Sequence, residues 1–165
     1  MANPRFGVRV SKDYLVFCSG HFITYEGGLC ERLHGHNYRV AVEIEDDLDE
    51  NRYVFDFIAL KDVSRAIADE LDHRMLLPTR NPLVRIEEAG PNWIARYKDR
   101  HWSFPREECV LLPIENTTAE LLADYFAGRL FEELARRGLK RPRTVRVEVE
   151  ESFGQSATVE HRRDD

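Results

Sequence analysis

The sequence has no apolar run that approaches the roughly 20 residues needed to cross a bilayer. It has no basic block either: 24 Lys and Arg stand against 30 Asp and Glu, a net charge of −6 at pH 7. That balance argues against a nucleic-acid or anionic-membrane surface. Cysteine is scarce, and the three residues Cys18, Cys30 and Cys109 cannot all pair within the chain. The opening residues Met1-Ala2-Asn3-Pro4-Arg5 carry no apolar export segment, so reduced thiols in a cytoplasmic protein are expected. There is no internal repeat and no low-complexity tract. What is present is 42% apolar and 33% charged residues in a chain of 165, the composition of a soluble globular protein. A chain of this length buries about 70% of its unfolded surface, enough for one domain spanning 1–165.

Hydrophobic spacing divides the chain into elements. Gly7 to Phe22 reads as a strand with an irregularity near Ser11-Lys12-Asp13. Thr24 to Leu33 is a Gly-rich loop with Gly27-Gly28 at its tip. From His36 to Glu45 polar and apolar residues alternate, so Tyr38, Val40, Val42 and Ile44 share one face of a second strand. Strands joined by so short a loop pair antiparallel by default. Tyr53-Val54-Phe55 reads as a short strand, and Asp56 as the N-cap of a helix whose stripe is Leu60, Val63, Ile67 and Leu71. The stretch 78–112 has four prolines and weak alternation and reads as a loop plus a hairpin. Thr117-Thr118-Ala119-Glu120 matches a capping box with Thr117 as N-cap, opening a helix that Gly138 stops. Thr144 to Glu150 alternates as a strand, and Ala157-Thr158-Val159 adds a last one. The resulting class is α+β: an antiparallel sheet with helices on one face.

His34 and His36, two apart in an extended segment, point the same way. An antiparallel pairing closed by the Thr24–Leu33 loop brings His21 level with them. Three neutral imidazoles converging from a hairpin make a zinc site with an open fourth position, as a catalytic metal requires. A His-x-His pair alone is as readily surface decoration; the third histidine tips the balance. Cys30, four residues before His34, roofs this site as a fourth ligand, a nucleophile, a proton-transfer group or simply a small buried hydrophobe. Cys18 and Cys109 lie in apolar contexts and read as small buried hydrophobes. Asp72-His73 ends a helix; the carboxylate and the helix C-terminus both favour a charged imidazole, suiting a general acid, although an exposed, partly solvated pair is the simpler reading of these residues alone. Glu148 and Glu150 lie opposite Val147 and Val149 and read as solvated. Glu151 falls on the apolar side of the alternation, where a carboxylate is costly unless a ligand with adjacent N–H donors satisfies it.

Phe17-Cys18-Ser19-Gly20-His21, Cys30-Glu31-Arg32-Leu33-His34-Gly35-His36-Asn37-Tyr38, Val54-Phe55-Asp56-Phe57 with Leu60-Lys61, Leu71-Asp72-His73 with Met75-Leu76-Leu77, Asn116-Thr117-Thr118-Ala119-Glu120 and Val149-Glu150-Glu151-Ser152 occur in this order. Together they resemble the 6-pyruvoyl-tetrahydropterin synthase / 6-carboxy-tetrahydropterin synthase (QueD) family. The resemblance implies the T-fold, or tunnelling fold: a four-stranded antiparallel sheet with two helices, assembled into homo-oligomeric rings, typically hexamers, with active sites near subunit interfaces. It implies zinc on His21, His34 and His36, catalysis by Cys30 with Asp72 and His73, and pterin binding by Glu151 and Thr118. The implied activity is that of a zinc-dependent lyase acting on 7,8-dihydroneopterin triphosphate. The spacing of Cys30 and His34 is similar to that of the queuosine-pathway members, which form 6-carboxy-tetrahydropterin and release triphosphate and acetaldehyde. A pyruvoyl-forming enzyme, a folate-type side-chain-cleaving relative (suggested by Glu31 beside Cys30) and a non-catalytic pterin-binding T-fold protein are the other readings. A zinc hydrolase ranks below them, because no His-Glu-x-x-His helix is present.

Overall fold

The computed structural model describes residues 4–163. The chain opens with the long strand β1 (Phe6–His21), a small hairpin of β2 (Thr24–Tyr25) and β3 (Leu29–Cys30), and the long strand β4 (His34–Asp46). Helix α1 (Phe57–Leu71) precedes β5 (Arg74–Pro78), and β6 (Arg85–Ala89), β7 (Asn92–Tyr97), β8 (Arg100–Pro105) and β9 (Cys109–Leu112) follow. Helix α2 (Ala119–Arg136) and the hairpin of β10 (Thr144–Ser152) and β11 (Gln155–Arg162) complete the fold.

The main sheet runs β11-β10-β4-β1-β5-β9. Its first four strands are antiparallel, as expected. The sheet is extended by two parallel strands, β5 beside β1 and β9 beside β5. β9 comes from the end of the segment read as loop plus hairpin, and β5 ends where that segment begins. The middle of that segment is a separate three-stranded antiparallel sheet, β6-β7-β8. Tyr53-Val54-Phe55 forms no strand; Val54 and Phe55 are buried in an irregular approach to α1 and satisfy the apolar signal without pairing.

Local chemistry accounts for the helices. Asp56 accepts a hydrogen bond from Ile58 N at 2.7 Å and caps α1, whose stripe Leu60, Val63, Ile67 and Leu71 is fully buried. In α2 the buried stripe is Leu122, Phe126, Leu130 and Leu134. The helix ends at Gly138, in the left-handed region at φ 66°, with Leu139 N–H returning to Leu134 O at 2.9 Å. Both helices pack against the sheet on a core that includes Phe17, Tyr38, Val40, Val42, Ile44, Val145, Val147 and Val149. Each fully buried side chain of this size contributes about 1.5–3 kcal/mol.

One irregularity positions the site. Up to Ser11, β1 pairs residue by residue with β4; pairing resumes at Val16, so five steps along β1 span two along β4. Val8 and Val10 turn inward before this bulge, and Leu15, Phe17, Ser19 and His21 after it. The inward positions change from even to odd. The same alternation exposes Cys18, which sits between the buried Phe17 and Ser19, against the expectation of a buried thiol. Cys109 is half-buried at the start of an edge strand.

Candidate metal centre and active site

His21 ends β1 directly opposite His34, and Ser19 opposes His36. The three imidazoles converge: one ring nitrogen from each lies within 4.8 Å of the others. Gly35, between the two β4 histidines, packs so closely on β1 that a Cβ there would stand 2.9 Å from Ser19 O. Two of the rings are oriented by backbone carbonyls. His21 Nδ1–H donates to Thr117 O and His34 Nδ1–H to Arg32 O, both at 2.9 Å. Those bonds leave both Nε2 lone pairs facing inward, 3.2 Å apart, as the supports around a metal-binding histidine do. Burial, with the two neighbouring imidazoles, lowers the His21 pKa to about 4 despite the Thr117 bond. His21 is therefore neutral at physiological pH, the form that ligates a metal. The donor set fits a divalent ion with imidazole preference.

Glu151 stands at this cluster, Oε1 3.6 Å from His21 Nε2 and 3.7 Å from His36 Nε2. It is 29% exposed and borders a cleft of about 360 Å³ with Ile23, Thr118, Gln155 and Ser156. The inward carboxylate expected from the alternation is present. Glu148 and Glu150 are not simply solvated: Glu148 accepts a bond from Arg9 at 2.6 Å and Glu150 one from Gly154 N at 2.9 Å.

On another side of the cluster, Cys30, Glu31 and His34 share a cleft of about 610 Å³ with Tyr25, Arg32 and Arg100. Burial pushes the Cys30 thiol up; the charge of Arg100 and its hydrogen bonding act against that rise.

Thr118, rather than Thr117, caps α2, its hydroxyl accepting from Leu121 N at 3.5 Å. Thr117 is fully occupied elsewhere: its hydroxyl donates to Phe22 O at 3.0 Å and its carbonyl holds His21. The Thr-Thr pair is legible as a cap from its spacing; Thr117's contact across 96 residues has no local signal.

Asp72 and His73 form the expected pair, Oδ2 to Nδ1 2.8 Å. Asp72 Oδ1 accepts from Cys18 N at 2.7 Å. Burial works to raise this carboxyl, but the Cys18 N–H and His73 hold it below its ordinary value. His73 occupies the left-handed region at φ 55° and its side chain is 82% exposed. Such a conformation in a residue other than glycine is a recurrent mark of functional positions. The described contacts of the pair are with β1 at Cys18, three residues before His21, and not with the three imidazoles or Cys30.

Tyr38 escaped the sequence reading as a site residue. Its buried ring packs edge-on to His21 and His36, centroids 5.7 and 5.5 Å away. Its hydroxyl is among the buried polar atoms without a hydrogen-bond partner.

Comparison with known proteins matches this architecture. The chain is 34% identical over 152 residues to a putative 6-carboxy-5,6,7,8-tetrahydropterin synthase of Methanocaldococcus jannaschii, covering 92% of this chain and 88% of that one. It is 37% identical over 117 residues to a protein of the same name from Pyrococcus horikoshii, covering 70% and 69%. Among solved structures, 6-pyruvoyl tetrahydropterin synthase of Plasmodium vivax superposes with a TM-score of 0.90 at 32% identity, covering 97% of this chain and 99% of that one. A mutant of the P. vivax enzyme, in which a catalytic glutamate is replaced by alanine, superposes with a TM-score of 0.89 at 31% identity over the same shares. Residues 10–162 match a single family across nearly the whole chain, and on that match the chain belongs to the 6-pyruvoyl tetrahydropterin synthase family.

Proposed function

We propose that this chain is a zinc-dependent 6-carboxy-5,6,7,8-tetrahydropterin synthase. It acts on 7,8-dihydroneopterin triphosphate, releasing triphosphate and acetaldehyde, in the cytoplasm and within the queuosine and 7-deazapurine pathway. The observation that carries this reading is the convergence of His21, His34 and His36 beside the half-buried carboxylate of Glu151. The imidazoles would hold zinc, which when bound supplies Lewis-acid stabilisation of negative charge on a substrate oxygen. Glu151 accepts hydrogen bonds from the pterin amino group and ring N–H, and Thr118 lines the same cleft. Cys30 removes a side-chain proton as thiolate. The Asp72–His73 pair relays protons, with Asp72 orienting the ring. Its exposure and its distance in contacts from the imidazoles suit a site completed across the subunit interface of a homo-oligomeric ring, typically a hexamer, in which 1–165 acts as one T-fold domain.

A second reading has a specific observation in its favour. Glu31 Oε2 lies 3.9 Å from His34 Nδ1, in the cleft that holds Cys30. A carboxylate there is a second candidate base, and with it side-chain cleavage of the folate type. Incubating the purified protein with dihydroneopterin triphosphate and weighing the product separates the readings. Carboxy-tetrahydropterin supports the proposal; a pyruvoyl or hydroxymethyl pterin overturns it in favour of the corresponding branch, and no turnover favours a binding protein.

A further inference from the structure

The inserted sheet is built onto the segment that carries the site thiol. Tyr97 and Arg100 pair across the tight turn of the β7–β8 hairpin, in which Lys98 is left-handed at φ 52°. From this hairpin the Tyr97 hydroxyl donates to Gly28 O, Lys98 Nζ donates to the same oxygen at 3.2 Å, and Arg100 Nη2 donates to Cys30 O at 2.8 Å. The Arg100 guanidinium is held between two rings, 4.9 Å from the Tyr97 centroid and 5.3 Å from that of Trp102. Trp102 in turn stacks on Phe22, the neighbour of His21, at 4.7 Å. The insertion therefore grips both the end of β1 and the loop of Cys30.

We propose that Arg100 is the positioning residue of the Cys30 thiol: its guanidinium fixes the backbone at Cys30 and supplies the positive charge beside which the sulfur works as thiolate. This rests on the reading of Cys30 as the proton-transfer group. The other charged or titratable groups around the thiol are Tyr25 from β2 and Glu31, Arg32 and His34 from the thiol's own segment. Glu31 opposes the thiolate, and Arg100 is the cation whose charge and hydrogen bonding favour it. A guanidinium clamped by aromatic rings and bonded to a carbonyl holds its positive charge at a fixed place beside the Cys30 segment.

The test uses zinc-loaded full-length protein and two readouts: the rate of Cys30 alkylation by iodoacetamide at neutral pH, resolved from Cys18 and Cys109 by peptide mass, and steady-state turnover of dihydroneopterin triphosphate. Arg100→Gln is expected to slow Cys30 alkylation about tenfold and to lower kcat at least as much, with KM within about threefold of wild type. Arg100→Lys is expected to recover most of both, and Tyr97→Phe, which removes a tether but no charge, to leave alkylation within about twofold. Alkylation of Arg100→Gln at the wild-type rate overturns the proposal, as does Arg100→Lys no faster than Arg100→Gln. If Arg100→Gln does not fold, Arg100→Met, which keeps the bulk between the rings but no charge, decides: about tenfold slower alkylation supports the proposal and the wild-type rate overturns it. Because alkylation needs no substrate, a wild-type protein inert on the pterin refutes the proposed function separately.

Discussion

Substituting Gly35 by alanine tests whether backbone packing, rather than the histidines alone, makes the metal centre. The added Cβ would lie 2.9 Å from Ser19 O, 3.5 Å from Ser19 C and 3.6 Å from Gly20 Cα. All three are backbone atoms of β1, so no side chain can rotate away. Restoring an ordinary contact of about 3.4 Å or more requires the strands to part by about half an ångström at the rung that joins Gly35 to Gly20. Overpacking of this kind costs about 1–3 kcal/mol, a fall in Tm of about 2–4 °C per kcal/mol for a chain of this size. The displacement falls between His34 and His36 on one strand and beside His21 on the other, so zinc affinity should drop about 10–100-fold, the range seen when the supports of metal ligands are disturbed. Thermal melts with and without zinc, and calorimetric zinc titration, measure both effects. Gly128→Ala is the control: its Cβ meets nothing within 4 Å on the exposed side of α2, and it should stabilise by about 0.5–1 kcal/mol without touching zinc binding. Wild-type Tm and zinc affinity in Gly35→Ala would refute the argument.

Cys30→Ala should bind zinc and pterin normally in titrations yet lose turnover; unchanged turnover removes the thiol from the mechanism. Chelation should abolish activity and added zinc restore it, whereas His34→Ala should not be rescued by stoichiometric zinc; retained activity in metal-free protein, verified by elemental analysis, would contradict the site. Lys140→Met should destabilise the fold by about 1–3 kcal/mol at neutral pH, because Lys140 Nζ pairs at 2.9 Å with the buried Asp46 Oδ2. Burial would raise the Asp46 carboxyl, but Lys140 and the Asp47 N–H outweigh it and hold its pKa below the ordinary value. The pair therefore stabilises above the ordinary carboxylate range, and the difference between variant and wild type should vanish as pH falls through the depressed value. Urea melts at several pH values check this, and a pH-independent difference would argue against the ion pair.

The parts of the site that were legible in the sequence are those set by local rules. His34 and His36 share a face because they are two apart, and His21 meets them because a short loop forces an antiparallel return. Glu151 is betrayed by a charge in an apolar place. The Asp56 cap and the α1 stripe follow from residue chemistry within one turn. What escaped depends on contacts distant in sequence. Thr117 reads as a cap because its spacing permits it, while its actual partners are His21 at the end of β1 and Phe22 just after it. Arg100 lies 70 residues from Cys30, inside a segment whose prolines and broken alternation obscure three short strands. The β5 addition was hidden for a different reason: a parallel strand buried between neighbours needs no alternation, and Met75-Leu76-Leu77 shows none; Val110-Leu111-Leu112 of the edge strand β9 shows none either, although Leu111 is exposed.

The bulge in β1 makes the protein's tolerance of length changes depend on their parity. Loss of one residue among the exposed Lys12, Asp13 and Tyr14 would invert every later side chain of the strand, turning His21 to solvent and Cys18 toward the core. Loss of two would leave the phase of the metal-bearing end intact and trim only the excursion. A deletion series through these three positions should therefore alternate between dead and active proteins rather than decline steadily.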